Sequence, residues 1–200
     1  MKGKTHAGIG VVAVLALYNK PLAMSDLWGL GIVVVASLLP DIDHPKSAIN
    51  KYILPFKNKL TKVTIYICLG LILMWYSYLY RGEAFLNGIG IILILIGIST
   101  HRNGLTHSLV GMITFSFITA YIGNIYHVNN VIYYFMIGYG LHLFCDMGTN
   151  RGVPLFYPFK KKNIKLPFTF KTNSKIGNTI EELIVIVGLI YIVFKLPNLF

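Results

Sequence analysis

The feature that most limits what this chain can become is a recurring apolar run. Seven such runs, at roughly 7–19, 25–40, 62–80, 84–100, 108–126, 130–149 and 180–196, alternate with polar stretches. Runs of roughly 17 to 20 residues match the hydrocarbon thickness of a bilayer. At that depth only helices and closed barrels satisfy their own backbone groups. With 55% hydrophobic and 12% charged residues the chain is too apolar for an ordinary soluble domain. The reading is an all-α fold: a polytopic membrane helical bundle of about seven hydrophobic segments, forming one domain over residues 1–200. The first two segments are short and contain glycine, which fits tilted or half-inserted helices. The N-terminus is basic, but no small-residue cleavage site follows, and a second apolar run does. That pattern argues against a cleavable signal peptide.

Cys68 and Cys145 are the only cysteines, so neither a disulfide framework nor a four-thiolate zinc site can form. Both are expected to be small buried hydrophobes. The net charge of +11 could suggest nucleic acid. In a membrane chain it instead reflects loop charges that fix orientation and meet anionic headgroups, and no nucleic-acid partner is expected.

Counting spans sorts the polar residues. If His6 lies on one side, then Asp41, Asp43, His44, His101, His107, His142, Asp146, Glu181 and Glu182 return to it. Five of six histidines and five of seven acids thus converge on one face, leaving out His127, Asp26 and Glu83. Fifteen of the eighteen basic residues fall there too; Lys20, Arg81 and Lys195 do not. Lysine- and arginine-rich loops stay in the cytoplasm. The expected topology is a multi-pass bacterial inner-membrane protein with its polar cluster toward the cytoplasm and its C-terminus external.

Three stretches carry the cluster. Leu38-Leu39-Pro40-Asp41-Ile42-Asp43-His44-Pro45 puts two carboxylates and an imidazole where an apolar run ends. A polar turn whose acids cap the next element would look the same. His142 and Asp146, four apart on a helix, share one face. They suit two ligands of one metal or a helical hydrogen bond. His101-Arg102-Asn103-Gly104-Leu105-Thr106-His107-Ser108 brings two imidazoles across a turn, with a permanent cation suited to a phosphate or a headgroup. His6 stands at the mouth of the first segment. Glu181 and Glu182 could be ligands or N-terminal helix charge. Imidazole and carboxylate without thiolate suit zinc, manganese or iron, often as a pair. No nucleophile elbow is evident.

In Thr5-His6, Leu39-Pro40-Asp41-Ile42-Asp43-His44, His101-Arg102, Thr106-His107-Ser108 and His142 through Thr149 into Gly152-Val153-Pro154, the chain resembles the YdjM family of membrane-bound, LexA-regulated metal-dependent hydrolases. That family is distantly similar to zinc-dependent phospholipases C and P1-type nucleases, whose metal sites are built from His, Asp and Glu. The resemblance implies His6, Asp43, His107, His142 and Asp146 as ligands, with Asp41, His44 and His101 as ligands or their supports. Glu181 takes the C-terminal acid role, with Glu182 its rival. It implies one or two zinc ions. The N-terminal tryptophan ligand of the secreted phospholipases is absent, because the sequence starts with Met1.

The expected function is a metal-dependent phosphoesterase acting on a phospholipid or related lipid phosphate by metal-bound hydroxide. Asp41 or Glu181 would take the proton and Arg102 would contact the phosphate. The other readings are a structural or stress-response membrane protein with a non-catalytic metal site and a metal ion transporter. A transporter's ligands belong near the bilayer midplane on paired repeats; here they sit at span ends and no repeat is seen.

Overall fold

Every one of the seven apolar runs holds a helix. A computed structural model describes residues 1–18, 24–47, 49–80, 82, 84–100 and 104–198. Its helices are α1 (Gly3–Leu17), α2 (Met24–Leu38), the single turn α3 (Asn50–Ile53), α4 (Lys59–Leu79), α5 (Ala84–Ile98), α6 (Leu109–Ile125), α7 (Val131–Met147) and α8 (Lys175–Lys195). Single 3-10 turns occupy Pro40–Asp43, Leu105–His107 and Leu196–Asn198. Two isolated bridges occur, and no β-strand is found among the described residues.

Helix starts are set locally. The Asn58 side chain accepts from the Thr61 amide at 2.8 Å, Ser108 from Gly111 at 3.1 Å and Ser174 from Gly177 at 3.0 Å, which caps α4, α6 and α8. α1 has no cap from its own sequence. Its start is held from a distance: Glu181 Oε2 accepts from the Lys2 amide at 3.0 Å and from the Thr5 hydroxyl at 3.2 Å. A carboxylate is favoured at that end of a helix.

Among the described residues two helices, α4 and α8, are long and apolar enough to cross a membrane. Their 21 residues span about 32 Å, against a hydrocarbon core of about 30 Å. Little of either is covered by protein, and Leu71, Ile72 and Trp75 on α4 and Val187, Ile190, Val193 and Phe194 on α8 are exposed. Apolar surface of that extent is made for lipid rather than water. The other five long helices have 15 or 17 residues, about 23–26 Å, so length alone does not make them spans.

α7 is central, packing against α1, α2 and α6, while α4 pairs with α5 and α8 leans on α1. The main core joins Ala36 and Leu39 of the α2 end to Tyr66, Ile96, Phe115, Phe135, Tyr139 and Leu143. Close approach depends on glycine. A Cβ on Gly138 would lie 2.5 Å from the Val33 carbonyl oxygen, and one on Gly70 would lie 2.7 Å from that of Gly90. The α2–α7 contact at Gly138 matters most, because it seats the end of α2 beside His142.

Two features depart from expectation. Cys68 is exposed on α4 rather than buried, and Cys145 is half-buried; both thiols are free. Lys62, counted among the loop cations, is buried at the start of α4 and donates to the Ile96 and Ser99 carbonyls at 2.9 and 2.6 Å. It satisfies carbonyls that the end of α5 would otherwise leave orphaned.

Candidate metal centre

Three chain crossings meet at one end of the bundle. Pro40 ends α2 and starts a 3-10 turn, Pro40–Asp43, that carries both aspartates. Asn50 fixes that turn. Its side-chain amide donates to the Ile42 and His44 carbonyls at 2.7 and 2.8 Å, and its oxygen accepts from the Tyr66 hydroxyl at 2.7 Å. Gly104 leads into the Leu105–His107 turn, which presents His107. The last turns of α7 supply His142 and Asp146.

Four ligand atoms converge. His142 Nε2 is 3.9 Å from Asp41 Oδ1 and 3.6 Å from Asp146 Oδ2. His107 Nε2 is 3.8 Å from Asp41 Oδ1 and 3.7 Å from Asp146 Oδ2. These gaps are too long for hydrogen bonds. They are close to the edge, about 3.4 Å, of a tetrahedron of ~2.1 Å metal–ligand bonds. One ligand atom from each of these four residues lies within 4.8 Å of the others. His142 Nε2 is buried and has no hydrogen-bond partner among the described residues. Burying such a nitrogen unpaired is costly; a divalent cation would satisfy it. The residues fit a metal.

The surroundings orient these ligands. His142 Nδ1 sits 2.8 Å from the Ser37 carbonyl, to which it donates, leaving Nε2 as the coordinating nitrogen. Behind His107, Asp43 Oδ2 lies 3.5 Å from Nδ1 and accepts from the Thr106 hydroxyl at 2.5 Å. Tyr139 in turn donates to the Thr106 carbonyl at 2.5 Å. His6 stacks on His142 with ring centroids 3.9 Å apart and places Nε2 3.2 Å from Asp146 Oδ1. The Met1 nitrogen donates to the same oxygen at 2.9 Å. Asp146 therefore turns one oxygen to His6 and Met1 and the other to His107 and His142.

Charge is balanced tightly. Burial alone would lower the His107 imidazole, but Asp41 and Asp43 outweigh it, with Asp146 adding to them, and hold it up to about 10. Burial alone would raise the Asp41 carboxyl, yet His107 and His142 beside it keep it below its ordinary value.

Asp41, His107 and Asp146 open onto a cavity of about 1060 Å³. Among the described residues six cationic side chains line it: Lys2, Lys46, Lys51, Arg151, Lys161 and Lys165. The 148–174 segment supplies three of them and is held in shape by backbone pairing. Val153 and Ile164 exchange bonds at 3.0 and 2.8 Å, Phe170 and Asn150 pair at 3.0 Å, and the Leu109 amide at the start of α6 donates to Leu155 at 2.9 Å.

Placement of the expected residues is mixed. His107, His142 and Asp146 belong to the quartet, and His6 touches it. Asp41, expected as ligand or support, is the quartet's fourth member. Asp43, expected as a ligand, stands behind His107. His44 lines the cavity and accepts from the Lys46 amide at 3.1 Å, outside the quartet. Glu181 is buried and turned to the start of α1, while Glu182 is exposed. His101 and Arg102 lie outside the described residues. The sequence reading passed over Thr106, Ser37, Asn50, Tyr139 and Lys62 as working groups. Only Thr106 gave a local signal, from its place beside His107. His127 is exposed at the α6–α7 turn, away from the centre, as expected.

No curated protein and no solved structure matches the chain, and the likeness to phospholipases C expected from the motifs is not shown by these comparisons. A family model does match: that of the YdjM inner membrane protein, over residues 1–198. With nearly the whole length matched and the motif residues gathered at one end of a helical bundle, the chain belongs to the YdjM inner membrane protein family.

Proposed function

We propose that this protein is a metal-dependent phosphoesterase of the inner membrane that acts on a lipid phosphate at the cytoplasmic face. One observation carries the reading: a two-histidine, two-aspartate quartet has three members, Asp41, His107 and Asp146, lining a wide cavity that six cationic side chains among the described residues also line. A structural metal site needs no such access. The quartet also sits at helix ends beside an open mouth, which fits hydrolysis better than transport through the midplane.

In this reading His107, His142, Asp41 and Asp146 hold the ion, zinc by preference for this donor set. Once bound it supplies Lewis acidity and lowers the pKa of a coordinated water. The rest is done by the chain. His6 and Asp43 keep Asp146 and His107 aimed. The six cations draw in the phosphate and offset charge that develops on it. Asp41 offers one oxygen to the ion; its second, on a side chain that is 24% exposed, would take up the proton. Glu181, turned away to α1, is left a positioning role. In the multi-pass arrangement proposed here the cavity opens at headgroup depth, where a lipid phosphate and water both arrive.

The test is a hydrolysis screen on purified, zinc-loaded protein with phosphatidic acid, phosphatidylglycerol phosphate and phosphatidylcholine. Release of phosphate or phosphorylated headgroup, abolished in His107→Ala and Asp41→Ala, is expected. No turnover across the panel from fully loaded protein would leave a structural metal protein as the account.

A further inference from the structure

The cationic cavity is not the only depression along α1. Met1, Lys2 and Gly3 face the cavity. Lys2 and Lys4, with Glu181 and Glu182, line a smaller depression of about 270 Å³ beside it. From Thr5 onward the lining changes. Thr5, Gly8, Ile9, Val12 and Ala13 form one wall of a groove of about 560 Å³, and α8 forms the other, with Leu183 and Val187 among its residues. The Thr5 hydroxyl is already committed to Glu181, so the groove offers almost no polar group. Polar and apolar binding surfaces thus follow one another along a single helix.

We infer that the ligand is one amphiphile lying along α1, its phosphate among the cavity cations and one apolar chain in the α1–α8 groove. This rests on the phosphoesterase reading of the site and says where its substrate lies. Three observations choose the occupant. Lys2 lines both the cavity and the smaller depression, and Val185 lines both that depression and the groove, so the three run in series from a cationic end to an apolar one, which fits an anionic lipid. Its residues 5 to 13 extend about 12 Å, the first part of an acyl or prenyl chain. A strand of polypeptide would leave backbone groups unpaired against apolar walls.

Gly8 makes the test clean, because a Cβ there meets nothing within 4 Å. Gly8 lines the groove, so Gly8→Phe starts a ring into it from an open Cβ position, and helix propensity does not oppose it. Binding to metal-loaded protein in detergent is measured by native mass spectrometry for dioleoyl phosphatidic acid, for glycerol phosphate and for dioleoylglycerol, which lacks the phosphate. Wild type should bind the phosphatidic acid at least tenfold more tightly than either of the others. Gly8→Phe should lose at least tenfold for the phosphatidic acid and keep its affinity for glycerol phosphate, and Gly8→Ala should match wild type. Unchanged long-chain binding in Gly8→Phe overturns the inference. So does equal binding of the uncharged lipid by wild type, which would make the groove a seat for bulk bilayer, or a dimer lost in Gly8→Phe with lipid binding intact. Chain-dependent phosphate binding without any hydrolysis would overturn the phosphoesterase reading and leave the inference standing.

Discussion

At the scale of residues, the centre is a competition between a proton and a metal for His107. With its pKa raised to about 10, His107 is an imidazolium in the metal-free protein at neutral pH. Its folded pKa lies above the ordinary value of about 6.5. Its contribution to the metal-free fold is therefore full below about pH 6.5 and lost as pH climbs toward 10. A cation can bind only the neutral ring, so loading should release a proton. Titrating zinc into metal-free protein at pH 7.5, in two buffers of different ionisation enthalpy, should show about one proton released. Equal heats in both buffers would contradict this. Thr106 tests the support behind the same ring. Thr106→Val removes the hydroxyl from Asp43 and should cost about 1–3 kcal/mol of stability. It should also weaken metal binding roughly 10- to 100-fold, read by chelator competition. That Asp41 rather than Asp43 joins the quartet was not legible in the motif. Two aspartates two apart diverge on any turn, and Asn50, outside the motif, holds this turn at one angle.

At the scale of elements, α1 is tethered by a residue near the other end of the chain. Glu181 accepts from both Lys2 and Thr5. Glu181→Ala should destabilise by about 0.5–2 kcal/mol, as loss of a helix cap does, and should lower turnover while metal content stays at the wild-type level. Loss of metal would restore Glu181 as a ligand. The choice between Glu181 and Glu182 depended on which side of α8 meets α1, and an apolar helix with few polar marks does not announce that. Lys62→Met should cost about 1–3 kcal/mol by stranding the Ile96 and Ser99 carbonyls, measured by thermal unfolding in detergent. The positions of the long helices, by contrast, were written in the apolar runs. Their starts were not: α4 begins at Lys59 and α8 at Lys175, ahead of the runs at 62 and 180, because Asn58 and Ser174 cap them. The order of the 148–174 segment comes from single backbone pairs such as Val153 with Ile164, which leave no periodic trace in a stretch rich in lysine and proline.

At the scale of the molecule, the convergence of histidines and acids was the most legible feature, since counting spans needs only order and polarity. It brought Asp41, His107, His142 and Asp146 to one end before any distance was known. The depth proposed for that end in a bilayer is testable. Cysteines introduced at Lys57 and Lys161 should react only from the cytoplasmic side; external labelling of either would reverse the proposed topology. The claim on which the rest depends is that the quartet holds an ion. Elemental analysis of purified wild type and of the His142→Ala/Asp146→Ala double variant tests it most directly. The account predicts one or two transition ions per wild-type chain, zinc foremost, with at least one missing from a folded double variant. Wild type that is folded and active without metal, or a double variant that keeps its full complement, would contradict it.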